Sequence, residues 1–225
     1  MSVKDNVVDF TEGLKEKNCI LVAISKTKTP EEILEAYHCG IRDFGENKVQ
    51  ELVEKYEVLP RDIRWHMVGH LQTNKIKMIV PFVHLIQSVD SLRLLQETDK
   101  QAEKKGKLIS CLLQVHIAEE ETKFGFDEHE LNELFRSGEF AKLNHVFIRG
   151  LMGMATFTDD TDKVRGEFKK LKLIRDSLEH EIRMPNLSME ILSMGMSSDY
   201  KIALEEGSNM IRIGTALFGS RSYAE

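Results

Sequence analysis

Residues 20–30 read ILVAISKTKTP, an apolar run that meets a helix start almost without a gap. Ile20 to Ile24 has no polar face, the composition of a strand buried on both sides, as in a parallel sheet. Thr29-Pro30-Glu31-Glu32 then forms a capping box, with Thr29 as N-cap, proline at the first helical position and Glu32 three residues on. The strand therefore ends at or near Lys26 and delivers its amine to the C-terminal edge of the sheet. A partly desolvated amine there can condense with an aldehyde. Lys28 falls on the same face if the strand continues, where its charge would favour the neutral, nucleophilic form of Lys26. The plainer alternative is a solvated lysine at a strand end.

The same unit repeats along the chain. Strand-like runs recur at 41–45, 64–69, 84–89, 108–116, 146–152, 191–195 and 210–214, and amphipathic helical stretches separate them. A helical stripe of Val3, Val7, Val8, Phe10 and Leu14 precedes the first strand. Strands alternating with helices imply a parallel sheet, because parallel neighbours need crossover connections. Eight such units in this length match a closed (β/α)8 TIM-type barrel with an extra N-terminal helix better than an open doubly wound sheet. The four prolines and fourteen glycines punctuate elements rather than cluster, so residues 1–225 read as a single domain with no linker.

Composition narrows the function classes. With 31 basic against 37 acidic residues the net charge is −6, which argues against broad nucleic-acid or membrane affinity. The N-terminus has no signal-like apolar core and no run is long enough to span a bilayer. Three scattered cysteines, Cys19, Cys39 and Cys111, show no paired spacing, so reduced thiols in the cytoplasm and no metal site are expected.

In such a barrel the working face is the C-terminal end of the strands. Lys26 ends the first, Glu46 and Asn47 follow the second, His66 belongs to the third, Ser193 to the seventh and Arg212 to the eighth. Singly, each has an ordinary structural explanation. Jointly, polar ends on most strands would leave hydrogen-bonding groups unmet unless a ligand or water filled the mouth. Ser193-Met194-Gly195 and Gly214-Thr215 follow the last two strands, where glycines and helix N-termini suit a phosphate. A lysine on the first strand, a phosphate cradle of Ser193, Gly195, Gly214 and Thr215, and Arg212 between them suit pyridoxal 5′-phosphate as cofactor.

The segments SKTKTP (25–30), FGENKVQE (44–51), WHMVGHLQTNK (65–75), SVDS (88–91), KFGF (123–126), LSMGMSSDY (192–200) and RIGTALFGSR (212–221) resemble the pyridoxal phosphate homeostasis proteins. The resemblance covers nearly the whole chain in order. It implies a barrel similar to the N-terminal domain of alanine racemase, with the cofactor held as an imine on Lys26. It also implies Asn47 and His66 beside the ring, Arg212 in contact with the cofactor, and the phosphate on the two glycine turns. Two departures stand out: proline comes one place later than in the usual first motif, and His116 replaces a common asparagine. The implied role is binding without turnover, keeping the intracellular supply of pyridoxal phosphate in balance, with pyridoxal-phosphate-dependent apo-enzymes as recipients and a monomeric protein. The alternative is a pyridoxal-phosphate-dependent racemase or decarboxylase. Against it, the few residues after the eighth strand leave no room for the C-terminal β domain that gives alanine racemases a tyrosine base.

Overall fold

The computed structural model describes residues 2–15, 17–120 and 124–219. Strands β1 (Ile20–Ile24), β2 (Asp43–Glu46), β3 (Arg64–Met67), β4 (Leu85–Val89), β5 (Ile109–Val115), β6 (Val146–Gly153), β7 (Leu187–Ser193) and β8 (Met210–Ile213) close into a parallel barrel in sequence order. The ring is completed by β1 lying beside β8, Ile20 opposite Met210 through Ala23 opposite Ile213. Helices α1 (Val3–Glu12), α2 (Pro30–His38), α3 (Val49–Val58), α4 (Ile76–Ile79), α5 (Leu92–Lys104), α6 (Glu128–Arg136), α7 (Thr161–Glu181), α8 (Tyr200–Glu205) and α9 (Thr215–Phe218) surround it. The barrel and the extra N-terminal helix are as expected.

Local chemistry accounts for the helix starts. Thr29 accepts from the Glu32 amide while Glu32 accepts from the Thr29 amide, so the expected capping box forms and α2 begins at Pro30. Asp127 and Glu130 form the same pair at α6. Two boundaries differ from expectation. β7 begins at Leu187, earlier than Ile191, and the expected 74–80 helix is a 3₁₀ turn at Thr73–Lys75 running into the short α4.

Strand alternation divides the apolar residues into two cores. Ala23, Phe44, Trp65, Met67 and Ile86 face outward and pack beneath the helices. Val22, Leu85, Leu112, Met152, Ile191 and Met210 fill the barrel, with Ile24 and Met154 against them. At Gly150 the register with β7 shifts, and φ is 151°. A Cβ built there would lie 1.8 Å from the Ile191 carbonyl oxygen, so only glycine lets the two strands approach. The barrel interior is not wholly apolar: His66, Gln87, Ser193 and Arg212 are buried within it.

Candidate functional site

β1 stops at Ile24, and the turn carrying Lys26 is fastened on both sides. Before it, the Ser25 amide donates to the Gly45 carbonyl (3.0 Å) and the Ser25 hydroxyl to Glu46 Oε1 (2.6 Å). After it, the Thr27 amide donates to Glu51 Oε1 (2.5 Å). Lys55, on α3, joins the two sides: its buried ammonium donates to the Ser25 carbonyl, Glu46 Oε1 and Glu51 Oε1, each at 2.7 Å. Burial pushes the Glu46 carboxyl up, against the charge of Lys55. These contacts hold Thr27 at φ 66°, a conformation that costs a β-branched residue on the order of 1–3 kcal/mol. Lys26 itself is half-buried, and among the described residues its ammonium has no hydrogen-bond or ion-pair partner.

Lys28 does not play the part expected of it. The left-handed Thr27 breaks the strand alternation, and Lys28 Nζ turns aside to Glu32 Oε1 and the Phe218 carbonyl, both at 3.0 Å. Its charge is thereby neutralised by Glu32, and the lysine ties α9 to the start of α2 instead of acting on Lys26.

The β7 and β8 turns lie at the same end of the barrel as Lys26. Gly214 packs on Ile24, its notional Cβ 3.3 Å from the Ile24 carbonyl oxygen, and the Ala216 amide donates to the Ser197 hydroxyl at 3.4 Å. Gly195 has φ 98°, with a notional Cβ 2.6 Å from that of Ala203, so a side chain there would have to displace α8. Among the described residues the amides of Gly195, Ser197, Ser198, Gly214 and Thr215 find no acceptor. Five backbone donors from two adjacent turns form a set suited to an anion with several oxygens, such as a phosphate. Asn47 is half-buried beyond β2. It does not cap α3, whose N-cap is Lys48 without a side-chain bond, and its amide has no partner among the described residues.

Arg212 and Ser193 lie deeper. Arg212 Nη1 donates to Ser193 Oγ (2.7 Å) and Nη2 to the Gly153 carbonyl (2.9 Å). No described carboxylate is within ion-pairing distance of it, and burial lowers its pKa to about 10, still a cation at neutral pH. The Ser193 hydroxyl in turn donates to Gln87 Oε1 (2.7 Å). It is wholly buried and already bonded twice, so its hydroxyl is engaged inside the barrel rather than presented at the mouth. His66, expected beside the ring, stands low in the barrel. Its Nδ1 meets Gln87 Nε2 at 2.9 Å and its Nε2 meets Asp43 Oδ1 at 3.1 Å. It borders a cavity of about 350 Å³ at the N-terminal ends of the strands, away from Lys26. His116 bonds the Glu120 carbonyl at 3.0 Å.

Asp43, His66 and His84 have donor atoms within 4.8 Å of one another at that lower end. Burial would raise the Asp43 carboxyl, but hydrogen bonds from Arg64 and His66 outweigh it and hold the group well below the usual carboxylate range. Arg64 already neutralises that carboxylate where a cation would sit, and we assign no metal to the cluster. Sequence reading missed Lys55, Gln87 and Asp43. The signal for Lys55 was present in Glu51 four residues before it and in Glu46 on a buried strand, since a buried carboxylate needs a cation.

The family model for the alanine racemase N-terminal domain matches residues 2–222. Curated relatives include the pyridoxal phosphate homeostasis protein of Aquifex aeolicus, 43% identical over 92% of this chain and 90% of that protein. That of Pasteurella multocida is 35% identical over the full length of both. Among solved structures, PipY of Synechococcus elongatus with pyridoxal phosphate bound superposes with a TM-score of 0.87 at 34% identity, over 97% of this chain and 100% of that one. Alanine racemase from Bartonella henselae shares the fold at 16% identity and a TM-score of 0.71, over 98% of this chain and 60% of the racemase. Sequence, length and architecture agree, and the chain belongs to the pyridoxal phosphate homeostasis protein family, built on the alanine racemase N-terminal barrel.

Proposed function

We propose that this protein binds pyridoxal 5′-phosphate through Lys26 and acts as a carrier in pyridoxal phosphate homeostasis, without turning over an amino acid. The observation that carries it is the Lys26 turn: a primary amine with no partner among the described residues, between Ser25, held by Lys55, and Thr27, held by Glu51, beside a set of unmatched backbone donors. The cofactor supplies an aldehyde with which such an amine reacts reversibly. The residues fit the group: the amides of Gly195, Ser197, Ser198, Gly214 and Thr215 would take the phosphate, and the Asn47 amide is free to donate to the ring substituents.

The relatives' shared name and the pyridoxal-phosphate complex of PipY support the same reading. Arg212 bears on turnover. A cation buried below the mouth opposes protonation of a heteroaromatic nitrogen nearby and weakens its electron withdrawal, a feature that by itself does not decide between carrier and enzyme. Ser193 and Gly153 fix its orientation, and Asp199 is the acidic group that supports its charge.

Purified protein incubated with pyridoxal phosphate is expected to absorb in the near-visible, and Lys26→Ala to lose that band while keeping its fold. A band that survives in Lys26→Ala, or amino-acid racemisation well above that of free cofactor, overturns the reading.

A further inference from the structure

Through the barrel axis runs an unbroken file of buried hydrogen bonds: Arg212, Ser193, Gln87, His66, Asp43. Its two ends, with the placing of the Gln87 amide, set the direction of every bond. A guanidinium only donates, so Ser193 Oγ accepts from Arg212 and gives its own hydrogen to Gln87 Oε1. The other arm of the Gln87 amide, Nε2, must then donate to His66 Nδ1; it also faces Met210 Sδ at 3.3 Å. A carboxylate only accepts, so His66 Nε2 carries the hydrogen directed at Asp43. Drawn this way, the file sets the Nε2 hydrogen of His66 toward Asp43 and its Nδ1 toward the Gln87 amide.

We propose that Asp43, His66 and Gln87 are positioning residues for Arg212, and that through them a proton taken up at the lower end of the barrel is felt at the cofactor mouth. This deepens the proposed cofactor role and rests on it for its consequence, though not for the column itself. A second hydrogen on His66, at Nδ1, would face the Gln87 amino group, and the amide would have to turn over. Gln87 Nε2 would then meet Ser193, which already accepts from Arg212 and would lose the acceptor for its own hydrogen. In a buried file that mismatch falls on the bonds joining Gln87, Ser193 and the guanidinium.

The charged and titratable groups around His66 come from several strands. Asp43 on β2 and Arg64 on β3 are ion-paired to each other, Arg149 on β6 is paired with Glu190 on β7, and His84 precedes β4 with its ring centroid 5.5 Å from that of His66. Burial, and next the charge of His66, press His84 down to about 4, so it stays neutral through mild acidification. Asp43 stays ionised over the same span.

The experiment uses ¹⁵N NMR on the cofactor-free protein and absorbance titration on the loaded one, with wild type, Gln87→Met and Gln87→Glu compared. The His66 nitrogens report its hydrogens at each pH, and while the ring carries one hydrogen it should be on Nε2. Acidification that protonates His66 should shift the Arg212 guanidinium resonances in wild type and leave them still in Gln87→Met, which is close to glutamine in size but cannot relay. The loaded wild type should show a step in its absorbance against pH that Gln87→Met lacks. Cofactor affinity should fall about five- to tenfold in Gln87→Met, the equivalent of one buried hydrogen bond. Gln87→Glu keeps an oxygen toward Ser193 and should retain most of the affinity. Arg212 signals indifferent to His66 protonation, or the same absorbance step in Gln87→Met, would overturn the proposal. A wild type that takes up no cofactor would refute the carrier role, while the NMR arm still decides the column.

Discussion

Lys55→Met removes the cation that holds both sides of the Lys26 turn while keeping the length and apolar stem of the side chain. Three acceptors lose their donor together: the Ser25 carbonyl, Glu46 and Glu51. Glu46 is fully buried, and its Oε2 already has no partner. Breaking a buried pair by deleting one partner costs about 3–5 kcal/mol, because the other charge is stranded. For a chain of this length each kcal/mol lowers Tm by about 2–4 °C, so a fall of roughly 6–20 °C is expected at pH 7. The pH dependence carries the diagnosis. Burial raises Glu46 above its unfolded value, and a group raised in this way favours the folded state below its unfolded value of about 4.3, losing that contribution as pH rises through the folded value. Without Lys55 that rise is unopposed, so the deficit of the variant should widen between pH 5 and pH 7. Calorimetry across that range measures it, and adding Glu46→Leu should recover much of the loss. A Tm within about 2 °C of wild type at pH 7, or a deficit independent of pH, would refute the clamp.

Gly195→Ala forces a side chain into a left-handed position against Ala203, and should cost on the order of 1–3 kcal/mol and weaken phosphate binding, measured by urea denaturation and cofactor titration. Asp43→Asn should destabilise the protein by about 1–3 kcal/mol at pH 7. Because the Asp43 carboxyl is depressed, its contribution is full above the unfolded value and lost as pH falls through the folded one, so the gap to wild type should begin to narrow below about pH 4 and be smaller at pH 3 than at pH 7, as parallel urea melts would reveal. Thr29→Ala removes the capping box of α2 and should cost about 1 kcal/mol with no change in the absorbance of bound cofactor.

The barrel was legible because its signals are local. An apolar run such as Ile20–Ile24 followed by the Thr29 capping box needs no tertiary information to be read as a strand feeding a helix, and eight repetitions leave few topologies. The start of β7 was less so, since Ser188 and Glu190 interrupt the apolar residues on that strand and the run looks unbroken only from Ile191. The site was legible in its residue types more than in their heights. Sequence places His66, Ser193 and Arg212 near strand ends, but the stagger of a barrel decides which of them reach the mouth and which are spent inside. Gln87 sat within an apolar run and announced nothing, yet its amide connects the two ends of the interior file. Lys28 was misjudged because alternation was assumed to continue through Thr27, whose φ of 66° ends it. Lys55 looked like any lysine on a helix face, and only the burial of Glu46 beside it assigns its work.

Everything in the carrier account depends on one amine. Borohydride reduction of the loaded wild-type protein, followed by proteolysis and mass mapping, should place the pyridoxyl mass on Lys26 and leave Lys28 and Lys55 unmodified, since both are held by carboxylates. A label on either of those lysines, or none on Lys26, would contradict it.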